Sequence, residues 1–286
     1  MAPLPSRLTH LTALTLTGLL CLTLRSDAAL SLLNLPSARM KVLPRRTLWV
    51  WERPEDLRSL DPHTTAVAWL DQTIVIGSGP QGPTVASKPR RQPIAFPANS
   101  AQIPLVRIAV VRIPVVRIEV VRGTSLDAMP ATENARQSYE ATVGNVVALL
   151  LVSAQRPGIA AFQVDFDATR SQRDFYRRVL RELRAQMPVN LPLSMTALAS
   201  WCSYDDWIAN LPVDEAVPML FRMEPDRRRA PADLDAFQIR EPLCRGSLGI
   251  STRERWPDNL AGKRIYVFPD RGWRSDLTLL ADRKLP

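Results

Sequence analysis

Histidine is almost missing from this 286-residue chain, which has only His10 and His63. That excludes multi-histidine metal centres, and a Ser-His-Asp triad would rest on His63 alone, beside Pro62 in a loop-like stretch. Cysteine is nearly as scarce, at three residues. Aromatic residues make up 6% and do not interleave with basic ones in the RNA-binding manner, so nucleic acid is not an expected partner. Glycine is sparse too, with 11 residues. The run Gly77-Ser-Gly79-Pro-Gln-Gly82 matches the dinucleotide fingerprint letter by letter. Pro80 and Pro83 interrupt it, however, no helix follows and no acid lies about twenty residues on, so it reads as a turn. No cofactor is expected, and no metal, because no acidic loop has cation-binding spacing.

What is present starts with a leader. Arg7 precedes an apolar run from Leu8 to Leu24, followed by Ser26-Asp27-Ala28, a small-x-small cleavage pattern. Residues 1–28 therefore read as a signal peptide, and the protein as periplasmic or secreted, with an uncleaved membrane anchor as the alternative. Leu20 stands before Cys21 where a lipoprotein would have a small residue, so lipidation is set aside. After cleavage no stable membrane span is expected. Removing Arg7, Arg25 and Asp27 lowers the formal charge by one from +9, and the surplus arginine suits acidic envelope polymers or anionic lipid surfaces.

Residues 29–46 read as a linker and 47–286 as a single domain. With 46% apolar residues the chain can fill a core, and its 25 prolines punctuate many short elements. The expected elements are a strand from Thr47, a short helix over Glu55 to Leu60, and two strands within Thr64 to Ile76. Gly77 to Ser100 reads as loop or irregular hairpin. A helix follows over Thr132 to Gln155, a strand over Ile159 to Ala168 and a helix over Ser171 to Gln186. Leu193 to Trp201 reads as a strand, Tyr204 to Asn210 as a short helix, and the last strands fall at Ala216 to Met223, Ser247 to Thr252 and Arg264 to Phe268. Strand-helix alternation with about eight strands predicts an α/β fold, a (β/α)8 TIM-barrel-like domain with an irregular first half.

Residues 105–122 repeat Val-Val-Arg-Ile every five residues. Since strand side chains alternate with period two, Arg107 and Arg117 fall on one face and Arg112 and Arg122 on the other. The copy over Val115 to Val121 is the expected strand, with the earlier copies an expansion.

The sharpest chemical feature is Ala161-Phe-Gln-Val-Asp-Phe-Asp-Ala168. Alternation sends Phe162, Val164 and Phe166 to a helix layer and Gln163, Asp165 and Asp167 to the barrel side, where unpaired carboxylates are costly, so the acids belong at the strand's carboxyl end. Two such acids titrate as a coupled pair, a state suited to general acid catalysis. The competing reading is structural: both acids cap the next helix or pair with Arg170 or an arginine of a neighbouring strand. Other strand ends offer Glu52, Trp51, Trp201, Arg222, Asp270 and Trp273, and tryptophans beside carboxylates suit sugar rings. Asp165, Asp167 and Glu52 are thus the candidate catalytic residues, and Gln163, Trp51, Trp201, Arg222, Asp270 and Trp273 the candidate ligand-binding ones. Ser194 and Thr196 share a face and read as satisfying buried neighbours. Cys202 and Cys244 are expected at opposite ends of the barrel and therefore unbridged.

Four stretches, Trp49-Val-Trp-Glu-Arg-Pro-Glu-Asp-Leu57, Phe162-Gln-Val-Asp-Phe-Asp-Ala168, Leu193-Ser-Met-Thr-Ala-Leu-Ala-Ser-Trp-Cys202 and Val213-Asp-Glu-Ala-Val-Pro-Met-Leu-Phe-Arg-Met223, resemble a bacterial family named only as domain of unknown function 3142. That resemblance implies no activity, and the five-residue repeat departs from the family's pattern. A weaker resemblance is to chitinase-like barrels, whose fourth strand ends in Asp-x-Asp-x-Glu. Asp165 and Asp167 match the aspartates, while Thr169 stands where the acid catalyst would be. The resemblance implies a glycoside-hydrolase-like barrel whose partner is a polysaccharide or cell-envelope glycan. The alternatives are noncatalytic glycan binding or envelope association, and a scaffold role in export or assembly.

Overall fold

A computed structural model describes residues 39–80, 82–97, 111–126, 130–221 and 238–281. The expected leader, the first part of the linker, the first repeat copy (105–109) and Arg222 lie outside the described residues. Among the described residues, eleven strands and four α-helices are formed: β1 (Arg46–Val50), β2 (Glu55–Asp56), β3 (Thr65–Gly79), β4 (Gly82–Pro89), β5 (Ile94–Ala95), β6 (Arg112–Val120), α1 (Glu133–Ala154), β7 (Phe162–Asp165), α2 (Arg173–Gln186), β8 (Leu193–Leu198), α3 (Ala199–Ser203), β9 (Glu215–Met219), β10 (Ser247–Ser251), β11 (Arg264–Phe268) and α4 (Trp273–Ala281).

Eight of these strands close into a barrel. The order is β1, β11, β10, β9, β8, β7, β6, β3, and a β1–β3 pairing completes the ring. Every pairing in the ring is parallel. β4 continues the sheet outside the ring, antiparallel to β3. Long helices follow β6 and β7, whereas β1 and β3 are followed by strand and loop, so the first half is irregular as the sequence implies.

Period-two alternation divides the apolar residues into separate cores. Trp49, Ala66, Ala68, Ile113, Val115, Val217, Tyr266 and Phe268 fill the barrel interior. Phe162, Val164 and Phe166 face outward and pack with α1 and α2, which contribute Val143, Val146, Val147 and Leu150 from one helix and Phe175, Val179, Leu180 and Leu183 from the other. Each such side chain removed from water contributes about 1.5–3 kcal/mol. A second outer core joins β1, β10 and β11 to α4 through Leu48, Ile250, Val267 and Trp273.

Several expectations are corrected. Glu55 to Leu60 is not helical: the Glu55 and Leu57 N–H groups donate to the carbonyls of Pro93 and Ala95 at 3.1 and 2.8 Å, and β2 forms against β5. β3 runs unbroken through Asp71 and Gln72, where a register shift marks a bulge. Both polar residues find partners there, Asp71 with Ser153 and Arg156 and Gln72 with Ser87 and Ser153. Packing begins ahead of Thr47, for Met40 and Leu43 are buried against the barrel interior. β6 takes in Arg112 as well as the Val115 copy, with Arg117 inward and Arg112 lying 5.9 Å from the Phe96 ring centroid.

Cys202 and Cys244 are bridged, against expectation, with Cα atoms 5.9 Å apart. The reason is the crossover after β8. Cys202 lies on α3, which folds back against β9, and Cys244 lies on a 3-10 turn (Pro242–Cys244) that also packs on β9. The Arg240 and Glu241 N–H groups donate to the Cys202 carbonyl at 2.9 and 3.1 Å, which draws the two segments together.

Candidate functional site

The barrel interior is crossed by a polar chain. Trp49 Nε1 donates to Gln163 Oε1 at 2.8 Å, Gln163 Nε2 to Ser194 Oγ at 3.0 Å, and Ser194 Oγ to Glu215 Oε1 at 3.1 Å. Tyr266 Oη also donates to Glu215 Oε1, at 2.5 Å, and Arg264 Nη1 to Oε2 at 2.9 Å. Burial, with the Glu215 charge second, pushes the Tyr266 hydroxyl well above its ordinary pKa. Gln163 is fully buried, so it orients interior neighbours and does not face a ligand directly.

Asp165 lies one step nearer the carboxyl end. β7 is in register with β6 such that Arg117 and Asp165 are Cα partners. Arg117 Nη1 donates to Asp165 Oδ2 at 2.5 Å, and Thr196 Oγ1 donates to Oδ1 at 2.7 Å. Both oxygens are thus satisfied on a residue only 2% exposed. Ser194 and Thr196 serve buried acids, in line with their structural reading.

Asp167 differs. Its side chain keeps 46% of its surface in solvent, and its contact with Arg117 Nη2 is longer, at 3.5 Å. Removal from water by the packed strand ends raises its pKa above the ordinary aspartate value, the negative charge of Asp165 raises it further, and Arg117 only partly offsets both. Asp167 does not cap the following turn, where Gln172 Oε1 accepts instead from the Thr169 N–H at 3.0 Å.

Glu119 belongs to this group, although the sequence alone did not single it out. It is two residues beyond Arg117 on β6 and so on the same face, half exposed, with Oε1 3.2 Å from Arg117 Nε. One guanidinium therefore touches three carboxylates. Burial opposes its charge, but Asp165 first, then Asp167 and Glu119, raise the Arg117 pKa overall. Beside it, the Arg117 guanidinium carbon is 5.9 Å from the Trp51 ring centroid. Trp51 is half-buried and belongs to an aromatic cluster with Trp49 at 4.3 Å and Phe268 at 6.5 Å, and Phe221 adjoins Phe268 at 4.5 Å.

The carboxyl end of the barrel thus gathers Asp165, Asp167 and Trp51 around Arg117, with Gln163 beneath. Among the described residues, the remaining candidates are held in other contacts. Trp201 is 1% exposed in the outer core, edge-on to Trp207 at 4.7 Å, and Trp273 is fully buried, donating Nε1 to the Trp49 carbonyl at 2.8 Å. Neither presents a stacking face. Glu52 Oε1 accepts from the Arg91 and Gln92 N–H groups at 2.8 and 2.9 Å and so ties the loop after β1 to the one before β5. Asp270 lies on the loop after β11, its carboxylate 3.5 Å from Arg253. Among the described residues no group of three His, Cys, Asp or Glu side chains is arranged to hold a metal ion, and no helix is long and apolar enough to cross a membrane.

No curated protein matches the chain. Two crystal structures are similar at low identity. The Bacillus cereus spore cortex-lytic enzyme SleL has 15% identity and a TM-score of 0.31, over 61% of this chain and 41% of that one. The chitinase domain of the spore coat protein CotE from Clostridium difficile has 12% identity and a TM-score of 0.32, over 62% of this chain and 50% of that one. The chain spans half or less of each of them, and so loose a likeness does not bear on chemistry. Over residues 127–223, a stretch that holds Gln163, Asp165, Asp167 and Thr196, the chain matches the family described as Domain of unknown function (DUF3142).

Proposed function

We propose that the protein is an exported glycoside-hydrolase-like barrel that binds and cleaves a polysaccharide at the mouth around Arg117. The observation that carries this reading is the pair of half-exposed carboxylates, Asp167 and Glu119, in contact with one guanidinium. Sharing Arg117 keeps their contacting oxygens no more than about 10 Å apart, the upper limit at which two acids can work on one glycosidic bond. Asp167, whose pKa is raised, is the proton donor to the leaving oxygen. Glu119 takes the proton of the water that attacks the anomeric carbon, so one C–O bond breaks, one forms, and two sugar hydroxyl ends result. Asp165, locked by Arg117 and Thr196, holds the guanidinium in place, and Trp51 offers a partly open aromatic face to a sugar ring. The bridge between Cys202 and Cys244 supports export, because such bonds persist in oxidising compartments.

A second reading is favoured by the tightness of the Arg117 to Asp165 contact. If Arg117 never releases Asp167 and Glu119, the same mouth binds glycan without cutting it. Incubating the mature protein with a panel of envelope and plant polysaccharides, beside Asp167→Asn and Glu119→Gln, separates the two. New reducing ends from the wild type but from neither variant support hydrolysis. Retention of the wild type on a polysaccharide with no new ends, weakened in the two variants, supports binding alone, and equal behaviour of all three proteins on every substrate would overturn both.

A further inference from the structure

Outside the barrel, a groove of about 710 Å³ opens between the tip of the β3–β4 hairpin and the first half of α1. Its volume is within the range of small-molecule sites, roughly 300 to 1,000 Å³. One wall is Gly79, Pro80, Gly82, Pro83 and Thr84. The other is one face of α1, where Asn134, Gln137, Ser138, Ala141, Thr142 and Asn145 follow helical spacing. The hairpin meets the helix closely because Gly82 has φ +119° and no side chain: a Cβ there would collide with Ser138 Oγ.

Two features give the groove a chemistry. No described residue lining it is ionisable, although 23% of the chain is charged and the net charge is +9. A phosphate, a carboxylate or an ammonium group would find no counter-charge among those residues. Three carboxamides, by contrast, line it without a hydrogen bond to another described residue. Each presents a donor and an acceptor side by side, the arrangement that matches two neighbouring hydroxyls of a sugar ring. Pro80, Pro83 and Ala141 supply aliphatic surface for the ring's C–H face.

The groove also lies at the mouth end of the barrel. β3 runs past the last β6 partner, Ile76 opposite Val120, before it turns at Gly79, and α1 begins beyond the same strand end. We infer that this groove is a second, noncatalytic binding site for a neutral oligosaccharide, holding a polymer outside the mouth. The inference extends the glycan reading above but rests on different residues.

The test is fluorescence polarisation of labelled neutral hexasaccharides, cello-, xylo- and N-acetylchito-oligomers, with an oligouronide and an uncharged glycine-serine peptide as the other arms. The proteins are the mature wild type, the triple variant Asn134→Ala/Gln137→Ala/Asn145→Ala, and Asp167→Asn. All three carboxamides are exposed, so the triple variant should melt at the wild-type temperature. The expected result is binding of at least one neutral hexasaccharide, weakened about tenfold or more in the triple variant and kept in Asp167→Asn. Tighter binding of the oligouronide or the peptide would overturn the inference. So would neutral binding that the triple variant keeps at full strength, a result that leaves the mouth reading standing. Binding of no glycan by any protein would overturn the groove and the mouth together.

Discussion

Arg117 and Asp165 face each other across two adjacent parallel strands, and their side chains close to 2.5 Å at the barrel mouth. A buried carboxylate deprived of its one cation is an uncompensated charge, which costs several kcal/mol. Arg117→Met should therefore lower unfolding free energy by about 3 kcal/mol, towards the low end because Arg117 is a quarter exposed. In urea titrations the double variant Arg117→Met/Asp165→Leu should be more stable than Arg117→Met alone. A double variant as unstable as the sum of the two singles would mean that the contact carries no coupling.

Asp167 should give a stability signature of opposite sense. Its folded pKa is raised, so the folded state holds the proton more tightly than the unfolded chain does. Below the unfolded value the carboxyl is protonated in both states and contributes nothing. As pH rises through the raised folded value, its ionisation destabilises the fold. Asp167→Asn removes that penalty, so the melting temperature of the variant relative to wild type should rise between pH 3 and pH 7. A difference that is flat or falls over that interval would show that the pKa is not raised.

Glu215 accepts from Arg264, Tyr266 and Ser194 in the barrel interior. Glu215→Ala should cost about 3–5 kcal/mol by leaving Arg264 buried without its counter-charge, whereas an exposed pair such as Arg58 with Asp56 should contribute little. Chemical denaturation of Glu215→Ala beside Asp56→Ala measures the contrast.

Removing the bridge by Cys202→Ser/Cys244→Ser frees a loop with a sequence separation of 42. Chain entropy alone predicts a loss of about 4 kcal/mol. For a domain of this size that is a fall of roughly 10 °C in melting temperature. A reductant should lower the wild-type melting temperature by a similar amount and leave the variant unchanged.

The parity of Phe162 to Asp167 could be read directly, because alternation on a strand is rigid and the apolar members are large enough to name the buried face. The eight-strand ring followed from the same periodicity together with strand-helix alternation. Arg117 could be placed on a face but not in the site. Four arginines recur in the five-residue repeat, and only the register of β6 on β7 selects the one that meets Asp165. Glu119 was hidden for the same reason, although its spacing of two from Arg117 was a usable signal. Trp201 and Trp273 misled because a tryptophan at a strand end is equally at home on the mouth and in the outer layer. The bridge was missed because a parallel barrel suggests that each crossover traverses its full height, and α3 instead turns back after five residues.

The most direct measurement is a crystal structure of the Asp167→Asn protein soaked with the oligosaccharide that the polysaccharide panel selects. The account predicts a sugar ring against Trp51, with hydroxyls within hydrogen-bond distance of Arg117 and Glu119. Sugar bound elsewhere, with Arg117 still closed on its carboxylates and the mouth filled only by solvent, would contradict it.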